Sequence, residues 1–256
     1  MKKSVLAIAA HPDDIEFCMA GTLMRLIDRG WEAHYFNVAN GCCGSTTLSR
    51  QECANVRLEE AQKAASLLEA TFYPPIRNDL EIFYDLGTVQ QVAAVLRQAT
   101  PQIVLTHATV DYMEDHQNTA RLAVTAAFSH GMANFETNPE QPIFEHDLAI
   151  YHAQPHGNRT PLKKLSTPEI AVDVSDLLDK KKELLACHAS QDNWLDASQG
   201  MSSYLGSMQK LNAEVGAMSK LYAFAEGWTQ HLHLGFAKNA DYNPLLEAIP
   251  DHATRL

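Results

Sequence analysis

Chemistry is first suggested at Ala10-His11-Pro12-Asp13-Asp14-Ile15-Glu16, where one imidazole and two adjacent carboxylates are crowded into a turn. Neighbouring side chains cannot easily reach one atom in the same role, so a division of labour is expected. Asp14 would bind a metal ion together with His11, while Asp13 would reach a water on that ion. The same two carboxylates also suit the positive end of a helix, and capping is the structural alternative. A second cluster, His107-x-x-x-Asp111-Tyr112-Met113-Glu114-Asp115-His116, ends with an imidazole beside a carboxylate. His11, Asp14 and His116 would give the two-imidazole, one-carboxylate set of a catalytic zinc site, which keeps a position open for water. Asp115 could orient a proton-carrying group from outside the ligand set. Its alternative is a solvated acidic loop in which it caps a helix.

The two clusters meet only if the surrounding elements bring them together. Val5 to Ala10 is a short apolar run, as expected of a strand buried on both faces. A helix is predicted from about Ile15 to Arg29, stopped by Gly30, and a second strand from Ala33 to Ala39. Ser49-x-x-Glu52 is a capping-box pattern opening a helix to about Ala70. A third strand over Thr71 to Pro74, a helix over Thr88 to Thr100 and a fourth strand over Gln102 to His107 follow. A helix then runs from the second cluster toward Gly131. This alternation predicts an α/β fold: a Rossmann-like, doubly wound, mostly parallel sheet with helices on both faces. In such a sheet strands one and four are neighbours at the switch point, which would set His116 beside His11 and Asp14.

The later chain reads as a less regular α+β part. Leu148 to His152, Ile170 to Val174 and Gln230 to Phe236 look like strands. Ser175 would cap a helix through Cys187, and 203–227 contains helical material. We expect a single domain over 1–256, with 1–135 as the Rossmann-like core and 136–256 completing the site; a boundary near 150 is the alternative.

Composition limits the function classes. Apolar residues make up 46%, and 20 Lys+Arg against 31 Asp+Glu give a formal charge of −11. An acidic chain without a basic block is a poor partner for a phosphate backbone, so no nucleic acid is expected. Met1-Lys2-Lys3 and the apolar run after it lead straight into His-Pro-Asp-Asp without a cleavage region, so a buried strand explains them better than a secretory signal. No later segment approaches ~18 apolar residues, so no membrane span is expected. The five cysteines are odd in number and lack a C-x-x-C spacing, suggesting neither a disulfide framework nor a thiolate zinc site. Cys42-Cys43 reads as a pair of reduced loop thiols in a cytoplasmic protein. Neither a G-x-G-x-x-G after the first strand nor a Walker loop occurs, which sets aside a nucleotide-binding domain.

The run Ala9 to Glu16, continued by Gly21-Thr22-Leu23, resembles the signature of the PIG-L / LmbE-like family of zinc-dependent N-acetylglucosaminyl deacetylases. Arg57-x-x-Glu60-Ala61-x-x-Ala64 looks like a second family block. Asp111 to His116 occupies the place of the Asp-x-His-x-Asp-His element. Val172-Asp173-Val174-Ser175, Lys182 and His188-x-Ser190-Gln191 are similar to a late block, and Tyr222 to Glu226 to a final one. The resemblance implies one Zn2+ per chain on His11, Asp14 and His116, with Asp13 as general base and Asp115 in the catalytic support. It implies substrate contacts from Arg57 and His188, an amino-sugar conjugate as substrate, and a cytoplasmic homo-oligomer, often a hexamer. One departure stands out. The family's second histidine, three residues before the last ligand, is Met113 here, and a thioether cannot carry its proton. His107, Tyr112, Glu114 or a late histidine would have to replace it. The alternatives are a metal- or glycan-binding relative with altered chemistry, or a zinc hydrolase of another amide or ester.

Overall fold

Successive residues of β1 (Ser4–Ala9) enter two different apolar layers. Val5, Ala7 and Ala9 pack on one face, while Leu6 and Ile8 pack on the other. A strand buried on both sides needs helices above and below, and both are present in the computed structural model, which describes residues 2–191 and 204–256. On the first face lie α1 (Asp14–Cys18), α2 (Ala20–Asp28) and α3 (Arg50–Leu67). On the second lie α4 (Leu86–Ala99) and α5 (Glu114–Phe128).

β2 (Glu32–Asn37), β3 (Thr71–Tyr73), β4 (Ile103–Thr106) and β5 (Ala149–Ala153) join β1 in parallel, in the order β3-β2-β1-β4-β5. β1 and β4 are therefore adjacent, with Val5 beside Ile103 and Ile8 beside Thr106. The sheet continues through β7 (Ala225–Gln230), β6 (Ile170–Asp173) and β8 (Ala253–Arg255), all paired antiparallel. One sheet thus holds strands from both the early and the late chain. Around this late half lie α6 (Leu178–Leu185), α7 (Tyr204–Ser219) and α8 (Pro244–Ala248). No helix among the described residues is long and apolar enough to cross a membrane.

Several expectations need correction. The helix predicted over 15–29 is kinked at Met19, although its hydrogen bonds run on through Met19 N to the Ile15 carbonyl. The kink frees the amides of Gly21 and Thr22, and the Glu226 carboxylate of β7 accepts both at 2.9 and 2.8 Å. Gly21 is required there, since a Cβ would meet Val174 Cγ1 at 2.3 Å. The strand predicted over 230–236 is instead 225–230. Glu226 and Gly227 hide its pattern, and Leu232 and Leu234, which suggested alternation, are exposed. Ser175 does not cap a helix; its hydroxyl donates to Asp173 at 2.6 Å and accepts the Phe224 amide. The capping box at Ser49 and Glu52 is present in full. Residue 203, where helical material was expected to start, lies outside the described residues.

Glu226 also pairs with Lys181 at 2.6 Å, and both are buried. Lys181 additionally donates to the Phe17 carbonyl and to Asn212. Removing one partner of a buried pair leaves the other charge uncompensated. Lys181→Met should therefore lower stability by about 3 kcal/mol, read from the urea unfolding midpoint.

Candidate metal centre

The carboxyl edge of the parallel strands is where the polar residues gather. His11 follows β1, Asp79 follows β3, His107 and Asp111 follow β4, and His156 follows β5. At the junction of β1 and β4, ligand atoms of His11, Asp14 and His116 lie within 4.8 Å of one another. Asp14 is at the middle. Its Oδ2 accepts the His11 amide at 2.7 Å, and its Oδ1 is 3.4 Å from His116 Nε2.

Each imidazole is oriented by its own carboxylate. His11 Nε2 donates to Asp115 Oδ2 at 3.0 Å, which leaves Nδ1 facing Asp14 at 3.5 Å. His116 Nδ1 donates to Asp111 Oδ1 at 3.0 Å, which leaves its Nε2 facing Asp14. His107 stacks on His116 with ring centres 4.1 Å apart, and its Nε2 accepts the Ala10 amide. When neutral, His11 and His116 would each turn a nitrogen lone pair to one point, as metal ligation requires.

The electrostatics favour positive charge at that point. Burial opposes a charged His11, yet hydrogen bonds to Asp115 and Asp14 push its pKa up to about 10. Burial likewise raises Asp14, but His116, His107 and His11 outweigh it and hold the carboxyl well below the usual range. Asp13 behaves differently. Burial raises its pKa, with Arg57 pulling in the opposite sense. Two adjacent carboxylates thus have opposite shifts.

Asp13 does not cap α1. Its backbone is left-handed at φ 106°, and its side chain makes no bond to the helix amides. Instead Arg57 donates to Asp13 Oδ2 at 3.1 Å and to the Pro12 carbonyl, and Tyr204 hydrogen-bonds the same carboxylate. The loop above Arg57 requires Gly41, at φ 74°, because a Cβ would approach Arg57 Nε to 2.8 Å. His11, Asp13, Asp14, Arg57 and His116 all line one cavity of about 500 Å³.

One expected site residue stands elsewhere. His188 was expected to bind substrate, but it is 1% exposed and its Nε2 bonds Glu16, so it supports the floor of the site. Asp115 lies behind His11, where it also accepts the Leu80 amide, and it orients that ring instead of meeting the cavity. Sequence reasoning also missed partners. Lys181, which carries the buried ion pair, and Asp111, Asp79, Tyr204 and Glu16 had been given no contacts. Of the residues considered in place of Met113, Tyr112, Glu114 and His156 line the cavity, and His107 is held as an acceptor.

Fold and site together define a doubly wound α/β protein with a mixed histidine–aspartate centre at its switch point. Residues 6–127 match the PIG-L family, described as GlcNAc-PI de-N-acetylase. It is 27% identical over 219 residues to diacetylchitobiose deacetylase of Thermococcus kodakarensis, covering 80% of this chain and 79% of that one. It is 25% identical over 200 residues to 4-oxalmesaconate hydratase of Pseudomonas putida, covering 75% of each. In structure it is similar to N,N'-diacetylchitobiose deacetylase of Pyrococcus horikoshii, with TM-score 0.75 at 24% identity over 95% of this chain and 88% of that one.

A histidine pair supports the strand behind the site. His152 Nδ1 donates to the His107 carbonyl at 2.8 Å, and its Nε2 is 2.9 Å from His231 Nδ1. Burial lowers the His152 pKa to about 4. The unfolded chain then binds a proton near pH 6.5 that the folded chain refuses until about 4. The contribution of His152 to stability should fall by about 3 kcal/mol as pH drops through that window and level off below it. Urea midpoints across pH 4–7 should show this slope, and His152→Gln should reduce it.

Proposed function

We propose that this chain is a metal-dependent hydrolase that removes the acetyl group from an N-acetylated amino sugar. The observation carrying this is the convergence of two carboxylate-pinned imidazoles and Asp14 beside Asp13, on the wall of one cavity. His11 Nδ1, Asp14 and His116 Nε2 would hold a single divalent cation, zinc by the resemblance. The nitrogen and carboxylate donors fit it, and the surrounding carboxylates favour positive charge at that point. Such a cation supplies Lewis-acid polarisation of the amide carbonyl and acidifies water.

The chain's own residues supply the rest. Asp13 takes the proton of the attacking water, and burial, which raises its pKa, makes it a stronger base than an exposed carboxylate. Arg57 and Tyr204 fix the Asp13 carboxylate, so the base stays oriented through the reaction. Tyr112, 55% exposed, offers a hydroxyl donor at the cavity. Phe17 and Tyr204 add aromatic surface on which a sugar ring can pack.

The charge of the cavity supports a neutral substrate over a polycarboxylate of the kind the hydratase relative's name indicates. Asp13, Asp14, Asp79 and Glu114 line it, and Arg57, already held by Asp13, is the lysine or arginine among the described lining residues. Residues 192–203 contain neither lysine nor arginine.

Acetate release from N,N'-diacetylchitobiose and N-acetylglucosamine, with and without chelator, is the test. Activity should vanish with chelator and return with zinc. Metal retention without acetate release would instead favour a binding protein. Asp13→Asn should retain the metal while kcat falls about 10²–10⁴-fold. Asp111→Ala, which frees the His116 ring, should weaken zinc binding about 10–100-fold in a competition titration.

A further inference from the structure

The cavity wall holds a second group of ligand atoms that the proposed hydrolysis does not use. Cys42 and Cys43, in the loop after β2, meet Asp79 from the loop after β3, and their ligand atoms lie within 4.8 Å of one another. The two sulfurs are 3.8 Å apart. Two thiolates bound to one tetrahedral ion at about 2.3 Å each would sit about 3.8 Å apart. A disulfide would need about 2.05 Å.

Asp79 is already fixed for this role. Its Oδ1 accepts the Gly41 amide at 2.7 Å and its Oδ2 accepts the Cys43 amide at 2.8 Å. Each carboxylate oxygen keeps a second lone pair for an ion. Cys43 is exposed, and both Cys43 and Asp79 line the cavity, so an ion can reach them. Arg50 Nε lies 3.3 Å from the Cys42 sulfur. Two thiolates, one carboxylate and a divalent ion sum to −1, next to the Arg50 guanidinium, which also pairs with Glu81 at 2.6 Å.

We propose that Cys42, Cys43 and Asp79 form a second metal site, selective for thiophilic divalent cations such as Cd2+ or Zn2+. Binding displaces one proton from each thiol to solvent and leaves a fourth position open toward the cavity. The site differs in donor type from the imidazole centre, since it alone offers sulfur. It depends on the fold, because its third ligand comes from 36 residues beyond Cys43.

Cadmium titration of the full chain tests the proposal through thiolate-to-metal charge-transfer absorption, which nitrogen and oxygen ligands do not give. The band should saturate at one ion per chain and persist in His11→Ala/His116→Ala. It should disappear in Cys42→Ser/Cys43→Ser, and Cys53→Ser should retain it. Asp79→Asn should weaken the cadmium affinity at least about tenfold, the scale on which loss of even an outer partner acts. Absence of the band in the unaltered protein, or its survival in the double cysteine variant, would overturn the assignment. Acetate release reports only on the imidazole centre, so the two readings can fail separately.

Discussion

Asp14 is the side chain on which the centre depends. One carboxylate accepts the His11 amide, faces a nitrogen of each of His11, His107 and His116, and starts α1. Such crowding of rings around one anion holds together only where strands one and four run side by side. The parallel order of the sheet is therefore an electrostatic requirement of the site as well as an architectural fact. Behind the rings, Asp111 and Asp115 set which nitrogen of each imidazole faces inward. The cluster is built from the outside in, with backbone amides orienting carboxylates and carboxylates orienting rings.

Asp13 and Asp14 show how far environment separates identical side chains. Both are carboxylates in one turn, yet Asp14 is surrounded by imidazoles and Asp13 by one guanidinium in an otherwise enclosed setting. Their pKa values move in opposite directions for that reason. Division of labour between neighbouring residues, expected from steric crowding alone, is reinforced by which cation each one meets.

The parallel half of the fold was legible because its strands are continuous apolar runs and its helices carry ordinary start and stop signals. The meeting of His11, Asp14 and His116 was legible for a related reason, since polar residues at strand ends share one edge of an open sheet. Of the antiparallel half only β6 was legible, expected over Ile170 to Val174 and found at Ile170–Asp173. β7 contains Glu226 and Gly227 where an apolar pattern would be sought, and β8 is only three residues long. Partners such as Lys181, Asp79 and Tyr204 carry no local mark, because their contacts lie tens to hundreds of residues away. His188 illustrates the reverse error, a polar residue suggested for substrate that is used instead to hold Glu16 under the site.

The kink at Met19 has a consequence for how this molecule could be divided. The amides it releases are satisfied by an acid more than two hundred residues later, which is itself neutralised by a lysine from a third segment. The stretch that matches the family ends well before either. That stretch therefore does not contain the acceptor for the first amides of its own second helix. Recombining this early half with a foreign late half would succeed only where the newcomer restores that anion and its counter-charge.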